Sequence, residues 1–168
     1  MRRLFVAALL LIVPTAVEAQ PRLMVGAGVT APNGAIADAA DPGYHIRAAL
    51  HVGIPTLPVA LRADGALHRL GSKDAALEDP EVLEGALSVV YLLPGVSLRP
   101  YVLAGAGTYR VETGATGSTT TVSDTGFQAG FGVVLGQLGL GAFAEIRYVH
   151  ITSGSTTRLI PLTLGLRL

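Results

Sequence analysis

The stretch TGFQAGFGVVLGQLGLGAFA, residues 125–144, runs twenty residues without a charge. Whether it is read as helix or strand decides the fold. A membrane-spanning helix needs about 20 apolar residues, so length alone admits one. Six glycines interrupt the stretch, however, at Gly126, Gly130, Gly132, Gly136, Gly139 and Gly141. Between them Phe127, Ala129, Phe131, Val133 and Leu135 recur at every second residue. A period of two belongs to a strand, whose successive side chains point to opposite faces. The stretch therefore predicts a strand with one apolar face, followed by a tight turn over residues 136–139.

The same alternation recurs outward in both directions. Leu23, Val25, Ala27 and Val29 share a face, as do Tyr44, Ile46, Ala48, Leu50 and Val52, then Leu61, Ala63 and Leu67, then Leu83, Leu87, Val89, Tyr91 and Leu93. Tyr101, Leu103 and Tyr109 are read as the next such face; Ala142, Ala144, Ile146 and Tyr148 follow, and Ile160, Leu162, Leu164, Leu166 and Leu168 close the series. Eight segments result, each of about ten residues, the length a tilted strand needs to cross a bilayer. Residues 55–58, 94–97 and 136–139 read as tight turns, whereas 31–42, 70–80, 112–124 and 152–158 read as longer polar or glycine-rich loops. Three short and four long connections fit eight antiparallel strands with both termini on the short-turn side, the asymmetry of an outer-membrane barrel.

If the apolar face meets lipid, the opposite parity must hold what lipid rejects. His45, Arg47, His51, Arg62, Asp64, His68, Glu84, Arg110, Glu145, Arg147 and Arg167 are all assigned to that parity. An arginine at the lipid-facing midplane costs roughly 2–4 kcal/mol, so their exclusion is informative. Arg69, Glu81 and Arg99 fall at strand ends. All five tyrosines are assigned to the lipid-facing parity. Tyr44, Tyr109 and Tyr148, with Phe127, form one expected interfacial girdle, and Tyr91 and Tyr101 the other, where amphipathic rings prefer to sit. Phe143 is the aromatic expected inside. A soluble lipocalin-like ligand carrier is the structural alternative, but it hides apolar side chains inside and shows polar ones to water.

Composition agrees with a membrane barrel. Half of the 168 residues are apolar, 14% are charged, and there are 21 glycines and no tryptophan. Mean hydropathy is +0.52. Twelve basic and twelve acidic side chains cancel, leaving no global field to attract nucleic acid. With no cysteine there is neither a disulfide framework nor a thiolate nucleophile. At the N-terminus Arg2 and Arg3 precede the apolar run 4–13, and Val17-Glu18-Ala19 offers a small-residue cleavage site before Gln20. Residues 1–19 are expected to be a secretory signal peptide and residues 20–168 a single barrel domain.

Several stretches carry a family resemblance: RPYVLAGAGTYR (99–110), GFQAGFGVV (126–134), FAEIRYVHI (143–151) and IPLTLGLRL (160–168). They resemble the outer-membrane β-barrel superfamily that includes the OmpA/OmpX-like small barrels. The resemblance implies an all-β, eight-stranded up-and-down transmembrane barrel in the bacterial outer membrane, among outer-membrane lipids and lipopolysaccharide. It also implies insertion by the barrel-assembly machinery, which reads an alternating C-terminal strand that usually ends in an aromatic residue; here the strand ends in Leu168.

For function, the inward charges come first. Arg47, Arg62, Arg110, Arg147 and Arg167 face only Asp64, Glu84 and Glu145. In a barrel just wide enough for its own side chains they are expected to pair and plug the lumen; the arginine surplus makes a narrow porin-like channel the alternative. RYVHITS (147–153) is similar to the histidine-x-serine segment of the lipid A deacylase barrels, which implies His150 as a proton acceptor. Thr152 stands where that motif has serine, and no carboxylate follows His150. A non-enzymatic structural or surface-interacting protein is therefore the leading reading. No cofactor and no metal are expected, since His45 and His51 lie six residues apart on one strand, too far to chelate together. Any extracellular ligand is expected to meet the four long loops, 31–42, 70–80, 112–124 and 152–158.

Overall fold

The computed structural model describes residues 21–74, 77–115, 118–136, 140–152 and 157–168. The expected signal peptide, most of the turn over 136–139 and the middle of the loop over 152–158 lie outside them. Eight strands form: β1 (Arg22–Gly34), β2 (Ala40–Gly53), β3 (Val59–Ser72), β4 (Glu81–Leu92), β5 (Leu98–Ala115), β6 (Ser118–Leu135), β7 (Gly141–Thr152) and β8 (Thr157–Arg167). Each pairs antiparallel with the next and β8 pairs back onto β1, so the sheet closes into a barrel with no free edge.

The register fixes the barrel's shape. Stepping across paired residues from Leu23 leads through Leu50, Ala63, Leu87, Ala106, Phe127, His150 and Arg158 and returns to β1 at Asn33, ten residues further along that strand. With a rise of about 3.3 Å per residue and strands about 4.8 Å apart, that stagger tilts the strands by roughly 40°.

Strands run further into the expected loops than alternation suggested. β1 continues to Gly34, and a single 3-10 turn, Ala35–Asp38, leads into β2. The segment 112–124 is mostly ladder: β5 and β6 stay paired from Leu98↔Leu135 to Ala115↔Ser118. Beyond Glu112, which still pairs with Glu81, the hairpin projects as a two-stranded ribbon.

Outward side chains are apolar and exposed: Ile46, Leu61, Leu87, Phe127, Leu162 and Leu164 are among the large hydrophobics on that face. Inside lie arginines, carboxylates and histidines. This is the reverse of a soluble carrier barrel.

One strand departs from the sequence reading. On β5 the inward residues are Tyr101, Leu103, Gly105, Gly107 and Tyr109, so Tyr101 and Tyr109, 2% and 0% exposed, belong to the interior and not to the lipid-facing girdles. Arg110 points outward and pairs with Glu112, Nε to Oε1 2.8 Å, with 54% of its side chain exposed. The cause is steric. A β-carbon on Gly105 would stand 2.5 Å from Ser88 Oγ, and one on Gly107 2.6 Å from Ala86 Cβ. The glycines must therefore face the crowded lumen, while Val102, Ala104 and Ala106 supply an adequate lipid face.

Candidate functional site

The candidate site is the filled lumen, built in layers along the barrel axis. At mid-height β2, β3 and β7 supply Arg47, Arg62 and Arg147, while β3, β4 and β7 supply Asp64, Glu84 and Glu145. Each of these side chains is at most 2% exposed. Asp64 is the hub: its Oδ1 lies 3.5 Å from Arg47 Nη1, 3.3 Å from Arg62 Nε and 2.7 Å from Arg147 Nη2. Glu145 Oε2 accepts from Arg62 Nη1 at 2.8 Å and from the Tyr101 hydroxyl at 2.6 Å, and its Oε1 pairs with Arg147 Nε. Glu84 lies 3.3 Å from Arg47 Nη2 and 3.5 Å from Arg147 Nη1.

Polar neighbours complete the belt. Arg147 Nη1 donates to Gln128 Oε1 at 2.8 Å, and Gln128 Nε2 donates to Ser88 Oγ at 3.0 Å. Three guanidinium groups thus face three carboxylates, and the belt is formally neutral. Buried charges are tolerated when paired and hydrogen-bonded in this way; removing one partner leaves another stranded.

Above the belt runs a chain of hydroxyl and imidazole partners. Thr163 Oγ1 lies 2.8 Å from His45 Nε2, His45 Nδ1 2.9 Å from Thr30 Oγ1, Thr30 Oγ1 2.8 Å from His68 Nδ1, and His68 Nε2 3.2 Å from Glu84 Oε2. A single assignment with both imidazoles neutral satisfies every link. Thr163 donates to His45, His45 Nδ1–H to Thr30, Thr30 to His68, and His68 Nε2–H to Glu84.

Apolar layers close both ends of the lumen. Toward the short turns, Met24, Ala49, Ala60, Val90, Tyr101, Leu103, Val134 and Phe143 form one cluster. Toward the long loops, Ala40, Leu70, Val82, Tyr109, Val149, Ile151 and Leu159 form the other. The belt therefore lies between two apolar clusters.

Of the residues assigned to the lumen from sequence, Arg47, Arg62, Asp64, Glu84, Glu145 and Arg147 meet in the belt. Arg110 lies outside the barrel wall. Arg167 faces inward but sits at the short-turn end, where its buried Nε has no hydrogen-bond partner among the described residues. Tyr101 was expected in a lipid-facing girdle and His45 and His68 on the inward parity without a network between them, while Thr30, Ser88, Gln128 and Thr163 do not figure among the expected site residues. Gln128, a lone polar residue between Phe127 and Ala129, was the available signal.

On the outer wall, Tyr44, Phe127 and Tyr148 are exposed in the long-loop half and Tyr91 in the short-turn half. His150 stacks on Phe127 with ring centroids 4.8 Å apart. It pairs across the ladder with Arg158, and among the described residues no hydrogen bond joins it to Thr152 or to a carboxylate. No cluster of metal-ligating side chains occurs among the described residues.

Comparison with known proteins agrees with this geometry. The family model described as the outer membrane protein beta-barrel domain matches residues 4–167. None of the curated proteins matches the sequence significantly. Neisserial surface protein A superposes with a TM-score of 0.76 at 16% identity, over 90% of this chain and 99% of that one. Ail, the attachment invasion locus protein of Yersinia pestis, superposes with a TM-score of 0.60 at 15% identity, over 90% of this chain and 100% of its own. The N-terminal β-barrel domain of Pseudomonas aeruginosa OprF gives 0.57 at 17% identity, with 90% and 100% coverage.

Proposed function

Because the chain belongs to the outer membrane protein beta-barrel family and resides in the bacterial outer membrane, we propose that it is a non-enzymatic barrel with a structural or surface-contact role. The observation that carries this reading is a lumen filled by buried ion pairs between two apolar clusters. A conducting path needs a continuous wet route, but the charged belt is closed by its own pairing and capped at both ends by apolar clusters. The porin-like alternative rested on surplus arginine, and the belt has three guanidinium groups against three carboxylates. For the esterase alternative, His150 spends its ring face on Phe127 and, among the described residues, has no hydrogen bond to a carboxylate that would orient it.

In this reading residues 1–19 direct export, the barrel-assembly machinery inserts the barrel through its alternating last strand, and Tyr44, Tyr91, Phe127 and Tyr148 anchor it at the two interfaces with lipid and lipopolysaccharide. Contact with partners falls to the long-loop end. That end carries Asp38, Asp41, Asp74, Glu78, Asp79, Glu81, Glu112 and Asp124 against Arg69, Lys73, Arg110 and Arg158. Ail has been solved with the heparin analogue sucrose octasulfate. The acidic excess here favours instead a basic or cation-bridged partner.

The test combines three readouts on protein isolated from the outer membrane. The expected result is a boiling-dependent mobility shift, an N-terminus at Gln20, and no steady current in planar bilayers. Discrete conducting steps abolished by Arg62→Gln or Arg147→Gln would establish a channel, and His150-dependent loss of an acyl chain from lipid A would establish an enzyme.

A further inference from the structure

The short-turn end of the lumen holds three arginines and a histidine with no aspartate or glutamate side chain among them. Arg22, His51, Arg99 and Arg167 all fall on the inward parity of their strands, below the layer that contains Met24 and Phe143; Arg99 is exposed at the rim, where its Nε donates to the Gly95 carbonyl at 3.3 Å. Arg22 and His51 are direct cross-strand partners, and Arg167 pairs with Met24, two residues from Arg22. Arg167 is 8% exposed and His51 9%. Arg167 Nε and His51 Nδ1 are both buried without a hydrogen-bond partner among the described residues.

The side chains that act on Arg167 are the like charges Arg22 and Arg99 and, in the opposite sense, the Tyr101 phenol. Those that act on His51 are Arg62, Arg167 and Arg22. No aspartate or glutamate occurs in residues 21–29, 49–61, 88–103, 132–136, 140–144 or 164–168, the described segments that build this end. The belt also has buried atoms without a hydrogen-bond partner among the described residues, at Arg47 Nε, Arg62 Nη2 and Glu84 Oε1, but each belt arginine has a carboxylate within 3.5 Å, so the contrast at this end is one of charge. A buried guanidinium left unpaired is costly, and several converging donors with a surplus of positive charge suit a ligand with several acceptor oxygens.

We propose that this mouth, formed by Arg22, His51, Arg99 and Arg167, is a binding site for a phosphate-type oxyanion presented from the short-turn side, which faces the periplasm in barrels of this class. Two sources share that chemistry, free phosphate and the headgroup phosphate of an inner-leaflet phospholipid.

The experiment uses the barrel extracted from outer membranes into a zwitterionic detergent. The His51 imidazole resonance, identified by its loss in His51→Gln, and the thermal midpoint are followed against inorganic phosphate at constant ionic strength. A saturable movement of that resonance is expected, with a midpoint rise of roughly 3–6 °C at tenfold excess over the dissociation constant. Arg22→Gln and Arg167→Gln should abolish both effects, while Arg69→Gln at the far rim should keep them. Arg22 is only partly buried, so its variant remains informative should Arg167→Gln fail to fold.

In a parallel arm the barrel is placed in phosphatidylcholine vesicles with and without phosphatidylglycerol. A response to phosphatidylglycerol but not to inorganic phosphate assigns the site to a lipid headgroup; the reverse assigns it to the free ion. No response in either arm, or a response that survives Arg22→Gln, overturns the proposal.

Discussion

Tyr101 lies directly across Gly132, its register partner on β6, at a spot where a β-carbon on the glycine would fall 2.3 Å from Tyr101 Cζ. The bare backbone lets the ring lie against the barrel wall and its hydroxyl reach Glu145. Gly132→Ala must displace the ring and break that bond. It is expected to cost about 1–3 kcal/mol in urea unfolding from lipid vesicles. Gly65→Ala is the control. Its β-carbon would meet nothing nearer than the Glu84 carbonyl oxygen at 4.0 Å, and stability should change by no more than about 0.5 kcal/mol.

Asp64 touches all three belt arginines, so Asp64→Asn strands more buried charge than any peripheral change. A loss of about 3–5 kcal/mol is expected by the same unfolding assay. Arg110→Ala should stay within about 0.5 kcal/mol, as an exposed pair with Glu112 contributes little. Equal losses for Arg110→Ala and Arg147→Ala would mean that β5 presents its other face to the lumen.

Seven of the eight strands were legible in orientation because their two faces differ in chemistry. On β2, Ile46, Ala48 and Leu50 alternate with His45, Arg47 and Ala49, and lipid tolerates only one of these sets. β5 lacks that contrast: Val102, Ala104 and Ala106 are as apolar as Tyr101 and Leu103, and the aromatic residues tipped the reading the wrong way. What orients β5 is the volume left beside it, set by Ser88, Ala86 and the bare Gly132 and Gly126 on adjoining strands. A Cβ on Gly126 would approach Tyr109 Cε2 to 3.0 Å, so both tyrosines of β5 are fitted to glycines of β6. Such fits are cross-strand relationships and do not show in the period of one strand. The belt was legible as a set of inward charges, but its neutrality was not, because that depended on the same strand and on Arg167 lying below the apolar plug.

The projecting ribbon of β5 and β6 is separable from the barrel. The last β4–β5 pair is Glu81↔Glu112, and β6 meets β7 only from Thr125. Among the described residues one backbone hydrogen bond ties the ribbon to the neighbouring loop, from Glu78 N–H to Gly114 O at 2.9 Å. Removing residues 113–120 and joining Glu112 to Thr121, which are register partners, through Asn-Gly replaces the ribbon by a two-residue hairpin turn. The excised barrel should remain heat-modifiable. Losing a single hydrogen bond of about 1 kcal/mol should lower the thermal midpoint by roughly 2–4 °C.

The charge of the long-loop end sets which polyions it tolerates. Eight acidic side chains stand against four basic ones there, and Glu78, Glu81 and Glu112 gather beside Arg69 at one rim. Repulsion between exposed charges acts within a Debye length of about 8 Å at physiological salt, so an immobilised sulfated polysaccharide should not retain the protein under those conditions. Converting Glu78, Glu81 and Glu112 to lysine leaves five acidic against seven basic groups and reverses the sign without touching the lumen. The triple variant should bind a heparin column and elute as salt rises, with its mobility shift on boiling unchanged. Retention of the unmodified protein at the same salt would show that a local basic site, and not the net field, governs contact at this end.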